Sequence, residues 1–292
     1  MTTRISTWVQ LFLLIFVFVS CSKADSGKSK GNSQPPTPDR IVTLTPSATS
    51  LVVELGAADK IVGRDKYSIE PEKLLALPIV GDFINPNIEA IAALAPQLVL
   101  LDESQQSAKN SLETLGIPTF SLRMHTLSDV RNGLIEVGHS LNRDEIAKQS
   151  LATIDEKIAA VRKLAAARSG KPKVLVLIDR DPDSLRAMIA AGPNTYVDEL
   201  LTIVGATNIL SNSPVQYPQI SAELIMQAQP QIIIDLSRAE NKDAYSAIAE
   251  VPAVANDLIH LGNNPKLLTP SPQVGEALEI LMKLTELPSQ AP

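Results

Sequence analysis

Two segments of this chain, 134 residues apart, carry the same pattern. Asn87-Ile88-Glu89-Ala90-Ile91 leads into Pro96-Gln97-Leu98-Val99-Leu100, and Ser221-Ala222-Glu223-Leu224-Ile225 leads into Pro230-Gln231-Ile232-Ile233-Ile234. Each copy reads as a helix with an N-cap residue (Asn87, Ser221) and an acid in its first turn, followed by a proline-led apolar run that suits a buried strand. A duplicated helix-strand unit predicts two similar lobes, and two lobes imply a cleft between them. The matched glutamates Glu89 and Glu223 suggest a partner that touches both lobes in the same way.

The rest of the chain fits that plan. At 292 residues and 45% hydrophobic it can build one large or two modest cores, and its formal charge of −6 argues against nucleic acid as a partner. Short apolar runs, Arg40–Leu44, Ile61–Gly63, Ile79–Gly81 and Pro118–Leu122, alternate with helical stretches, the pattern of parallel α/β layers. From Asn142 to Ser169 there is neither proline nor glycine, and Ala147, Leu151, Ile154, Ile158, Val161 and Ala165 recur at spacings of four and three. That predicts one helix of roughly 40 Å, either a surface helix of a single domain or a stiff connector between the lobes. After Gly170 and Pro172 a second α/β series begins, in which Gly205-Ala206-Thr207-Asn208-Ile209 parallels Gly56-Ala57-Ala58-Asp59-Lys60-Ile61. The expected fold is α/β: an N-terminal lobe over 39–141, a linking helix over 142–169, and a C-terminal lobe over 170–292.

The N-terminus reads differently. Arg4 precedes an apolar run of about 12 residues, Trp8 to Val19, the length of a signal-peptide h-region and short for a membrane span. It ends at Ser20-Cys21, and Cys21 is the only cysteine, so no internal disulfide can form. A small residue and a cysteine after such a run resemble the lipobox of bacterial lipoproteins, with Phe18 in place of the usual leucine. The resemblance implies a signal peptide over 1–20, lipidation of Cys21 and anchoring at the cell envelope, periplasmic or on the outer face of the cytoplasmic membrane. Residues 21–38, polar and nearly free of apolar side chains, read as a tether spanning roughly 25 Å.

Arg40-Ile41-Val42-Thr43-Leu44-Thr45-Pro46-Ser47, Leu55-Gly56-Ala57, Val62-Gly63, Val80-Gly81 and the segment from Asn87 to Leu101 resemble the periplasmic substrate-binding proteins of ATP-driven importers for cobalamin, haem and ferric siderophores. Gly192-Pro193-Asn194-Thr195-Tyr196-Val197-Asp198-Glu199-Leu200, Gly205-Ala206-Thr207-Asn208 and Tyr217-Pro218-Gln219-Ile220-Ser221 extend the match through the second lobe, and the last looks most like the cobalamin-binding members. The resemblance implies two lobes bridged by one rigid helix, with closure limited to small rocking movements. It implies that Glu89 and Glu223 dock onto arginines of an ABC permease that works with its ATPase, and that the receptor acts as a monomer. A first-turn acid also complements the helix dipole, worth well under about 1 kcal/mol.

Ligands of parallel α/β lobes sit beyond the carboxyl ends of the strands. Of the six aromatics left after the leader, Tyr67, Phe83 and Tyr217 fall in such loops, and flat aromatic faces suit a flat macrocycle. Arg64, Arg123, Arg180 and Arg238 are candidates for pairing with an anionic siderophore or haem propionates. His125 is a candidate axial ligand for haem iron or corrinoid cobalt, while three scattered histidines give poor support to a bare zinc or manganese site. The expected ligand is therefore a corrinoid, haem or a ferric siderophore, with cobalamin favoured by the resemblance; no catalytic cofactor is expected. No P-loop, nucleotide fingerprint or nucleophile-base pair appears, so the chain is read as no enzyme. The competing class, a surface enzyme or assembly factor on the same scaffold, would need an acid-base set in the cleft such as Asp82 with Glu103 or Asp179 with Asp183.

Overall fold

The computed structural model describes residues 37–168 and 170–288. The leader, Cys21 and residues 21–36 of the expected tether lie outside the described residues, as does Ser169. In the first lobe β1 (Ile41–Thr43), α1 (Pro46–Glu54), β2 (Ile61–Arg64), α2 (Ile88–Ala93), β3 (Leu98–Asp102), α3 (Gln106–Thr114), β4 (Thr119–Leu122) and α4 (Leu127–Ser140) follow in order. Its sheet, ordered β2-β1-β3-β4, is parallel throughout. A long helix, α5 (Asp144–Ala166), then leads to the second lobe. There β5 (Lys173–Asp179), β6 (Met188–Ala190), α6 (Tyr196–Ile203), β7 (Thr207–Asn208), β8 (Gln219–Ile220), α7 (Ala222–Ala228), β9 (Ile232–Asp235), α8 (Pro252–Ala255), β10 (Ile259–Leu261), α9 (Pro265–Leu268) and α10 (Val274–Leu284) complete the fold.

The second sheet is mixed, where the first is parallel throughout. Its order is β10-β9-β5-β6-β8, with β7 also paired to β5. Strands β5, β7, β9 and β10 are parallel, but β6 pairs antiparallel with both β5 and β8. The cause is connection length: only Arg180–Ala187 joins β5 to β6, too short for the crossover that a parallel neighbour requires.

The duplication is present in three dimensions. Asn87 and Ser221 each accept from the N–H three residues on, at 3.0 and 3.4 Å, and so open α2 and α7 alike. Ala95 (φ 44°) and Gln229 (φ 50°), again 134 residues apart, stop the two helices in the left-handed region. The glutamines of the two Pro-Gln pairs then perform one task. The Gln97 N–H donates to the Arg40 carbonyl at 2.8 Å, and its side-chain oxygen accepts from the Arg40 N–H at 3.2 Å. Gln231 does the same to Lys173, at 2.9 and 3.0 Å. In each lobe a helix-to-strand turn is thus stitched to the start of that lobe's first strand.

The linking helix is shorter than the apolar stripe suggests. Asn142 has φ 53° and belongs to the stop of α4, where the Arg143 N–H returns to the Gly138 carbonyl at 2.7 Å. At 23 residues α5 is about 35 Å long. It buries Ala147, Ser150, Ile154, Ile158 and Val161 in a core continuous with Leu134 and Val137 of α4 and with Leu200, Leu278 and Leu281 of α6 and α10. Two glycines bring the neighbours close: a Cβ on Gly138 would lie 2.8 Å from the Ala147 Cβ, and one on Gly275 would lie 2.3 Å from the Lys157 Cδ. One helix shared by both cores joins the lobes.

Candidate functional site

The carboxyl edges of the two sheets carry the site. Beyond β2 the chain turns at Asp65, whose buried carboxylate accepts from the Tyr67 N–H at 2.8 Å and from the Ser68 hydroxyl. Burial pushes that carboxyl above its usual range, against the downward pull of the Ser68 and Tyr67 hydrogen bonds. Behind it a buried hydroxyl chain, Thr43 to Thr49 at 2.6 Å and Thr49 to Ser68 at 2.7 Å, ties the turn to β1 and α1. The turn leaves Tyr67 half exposed at the mouth of a cavity of about 400 Å³ between the lobes. Pro46, Thr49, Tyr67 and Glu70 form its wall on the first lobe; Asn264, Lys266, Ser271 and Glu276 form it on the second. Its volume is that of a small-molecule site. Lys266 and Glu276 are ion-paired, and the ammonium is held above its ordinary range mainly by Glu276, with Glu70 contributing from the first lobe.

The expected residues distribute unevenly around this cavity. Tyr67 lines it, whereas Phe83 lines a separate depression of the first lobe together with Ile84, Ser104 and Gln105. The Gln105 side-chain amide donates to the Phe83 carbonyl at 2.8 Å and holds that loop to the end of β3. Tyr217 stands 44% exposed before β8 and belongs to neither lining, so the three rings do not converge on one cavity. Arg64 is not a ligand arginine. It is buried, and it donates to the carbonyls of Leu74 at 2.8 Å and Asp65 at 3.0 Å, closing the loop that carries Tyr67. Arg180 is likewise consumed, by Asp235 at 2.7 Å with both side chains fully buried. Arg123 and Arg238 remain exposed at the carboxyl ends of β4 and β9, one in each lobe, and Arg123 lies 3.6 Å from Asp129. His125 turns its ring to Glu103 at 3.6 Å, within the first lobe, and does not line the cavity.

Glu89 and Glu223 are both exposed, each the second residue of its helix. Ile79 pairs with Arg64 in the parallel sense, so α2 begins beyond the carboxyl edge of the first sheet. Strand β8 points the same way as β5, so α7 begins beyond the carboxyl edge of the second. The two acids thus share the sheet edges that carry the cavity. The Ser221 hydroxyl holds the Glu223 carboxyl below the usual range. Among the described residues no group of three His, Cys, Asp or Glu side chains is arranged to hold a metal ion.

The cavity's second-lobe wall carried a signal that patterning by element does not reveal. Leu44-Thr45-Pro46-Ser47 opens α1, and the same tetrapeptide recurs as Leu268-Thr269-Pro270-Ser271. Pro46 of the first copy and Thr269 and Ser271 of the second line the same cavity, although the first copy opens a helix and the second follows the end of one. Glu70, Lys266 and Glu276 had no such marker, because isolated charged residues look alike in sequence whether or not they face a cavity.

The comparisons agree with this geometry. The chain is 27% identical over 248 residues to the vitamin B12-binding protein of Vibrio cholerae serotype O1, covering 82% of this chain and 87% of that one. The vitamin B12-binding protein of Photorhabdus laumondii is 28% identical over 199 residues, 68% and 70% of the two chains. Among solved structures, the periplasmic haem-binding protein RhuT from Roseiflexus sp. RS-1 superposes with a TM-score of 0.76 at 25% identity, over 85% of this chain and 97% of that one. The periplasmic vitamin B12-binding protein BtuF of Vibrio cholerae superposes with 0.74 at 25% identity, over 86% and 98%. A family model described as periplasmic binding protein matches residues 41–256, which spans both sheets and the helix between them. With two α/β lobes, one linking helix and an open cavity at the sheet edges, the chain belongs to this family of periplasmic binding proteins, which are receptors and not enzymes.

Proposed function

We propose that this protein is the lipid-anchored receptor of an ABC importer, that it captures a corrinoid between its lobes, and that it delivers it to the permease. The observation that carries the reading is the cavity between the Tyr67 loop and the Asn264–Gln273 segment, open to solvent and walled by both lobes. Its charge favours a corrinoid, with neutral amide side chains, over haem: Glu70 and Glu276 outnumber Lys266, and no arginine lines it to receive propionates. The relatives named for vitamin B12 support the same choice. Cys21 would supply the anchor, and Glu89 and Glu223, exposed and matched in the two lobes, would meet the permease.

Titration separates the candidates. The mature chain has no tryptophan, so ligand absorbance reports binding without interference from that chromophore. Cyanocobalamin is expected to bind with a Kd of about 1 µM or tighter, haemin and a ferric hydroxamate at least tenfold more weakly. Tighter binding of haemin would replace the corrinoid by a porphyrin, and turnover of any ligand without a permease would remove the receptor reading.

A further inference from the structure

The lobes also touch at the N-termini of α4 and α6. Each helix opens with a Thr-x-x-Asp sequence, Thr126 to Asp129 and Thr195 to Asp198. Thr126 accepts from the Asp129 N–H at 3.2 Å, and Thr195 accepts from the Asp198 N–H at 3.2 Å. The Asp129 carboxylate accepts in return from the Thr126 N–H at 2.9 Å, and that of Asp198 from the Asn194 N–H at 3.2 Å. Two helix N-termini carry partial positive charge and free N–H groups, so bringing them together is unfavourable unless something satisfies both.

Each lobe satisfies the other. The Tyr196 N–H, at the first position of α6, donates to the His125 carbonyl at 2.9 Å. The Leu127 N–H, at the first position of α4, donates to the Glu199 carboxylate at 2.6 Å. Glu199 lies on α6, so its side chain caps a helix of the other lobe across 72 residues of sequence. A charge-assisted bond of this length is among the stronger kinds, and it sits half-buried where water competes less.

We propose that this reciprocal cap is a latch that fixes the spacing of the lobes, and that Glu199 is the positioning residue that keeps the cavity pre-formed. The shared helix α5 permits rocking; the latch selects one position within that range. The latch is a property of the chain whatever the ligand, and its bearing on capture rests on the receptor reading above.

The test measures lobe spacing without ligand. A chain beginning at Ser22 contains the whole compact unit from Thr37 and lacks the only cysteine, so Asn110→Cys on α3 and Glu279→Cys on α10, both exposed helix positions, can carry spin labels. The latched protein is expected to give one narrow interlobe distance distribution, and Glu199→Ala to widen it about twofold. Glu199→Gln, which keeps an acceptor oxygen, is expected to restore the narrow distribution. Leu127→Pro removes the same bond from the donor side, at a first helical position where proline is tolerated and after Thr126, which is already extended. It should widen the distribution as Glu199→Ala does, and the double variant should widen it no further. A distribution unchanged in both single variants, widened as much by Glu199→Gln as by Glu199→Ala, or widened additively in the double variant, overturns the latch. Cyanocobalamin titration of the same proteins addresses the receptor reading separately: an intact latch in a protein that binds no corrinoid would fault only that reading.

Discussion

Replacing Asp235 by alanine is expected to lower the stability of the protein by about 3–5 kcal/mol, a large share of the roughly 5–15 kcal/mol that holds a folded domain together. Its carboxylate is fully buried at the end of β9 and receives three donors: Arg180 Nε at 2.7 Å, the Tyr245 hydroxyl at 2.8 Å and the Ser237 N–H at 3.1 Å. The Arg180 guanidinium, which also lies 5.2 Å from the centre of the Tyr245 ring, donates from Nη1 to the carbonyls of Asp181 and Pro182 at 2.8 and 2.9 Å. Removing the carboxylate leaves a buried cation without a counter-charge and a buried hydroxyl without an acceptor. Burial, more than the neighbouring Asp235 charge, pushes the Tyr245 phenol far above its usual range in the intact protein. Asp235→Asn keeps the shape and one acceptor and should cost less. Urea unfolding of the two variants measures both; a loss below about 1 kcal/mol for Asp235→Ala would mean that the pair behaves like a surface ion pair.

Neutralising Glu89 and Glu223 together is expected to abolish uptake while leaving ligand affinity unchanged. Neither side chain lines the cavity, both are exposed, and both stand second in a capped helix at the carboxyl edge of its sheet. Their equivalence under the duplication is what a partner with two equivalent basic sites would meet. Charged rims set orientation and encounter rate more than affinity, so the two single substitutions should each slow uptake and the double one should remove productive docking. Cobalamin-dependent growth of cells carrying Glu89→Ala plus Glu223→Ala, read beside in vitro titration of the same protein, tests this. Normal growth would remove the docking role, and lost affinity would move the glutamates into the ligand site.

The duplication was legible because one side-chain type does one local job at both copies. Asn87 and Ser221 cap, Ala95 and Gln229 stop, and Gln97 and Gln231 stitch turn to strand, all within a few residues of the pattern that announces them. The linking helix was legible through its apolar stripe, but its first residue was not. Asn142 resembles a helix start, yet packing and the Gly138 carbonyl assign it to the stop of α4. The roles of Arg64 and Arg180 were illegible because an arginine after a strand reads alike whether it faces a ligand or a ring of carbonyls; only the fold of the following loop decides. The Glu199 contact to Leu127 depends on how the lobes meet, and no local pattern encodes that.

The central claim, a corrinoid held between the lobes, is tested most directly by amide hydrogen exchange with and without cyanocobalamin. Binding in the cavity should protect Tyr67–Glu70 of the first lobe and Asn264–Gln273 of the second together, since both segments wall it. Protection confined to one lobe, or no protection at saturating cyanocobalamin, would contradict the claim.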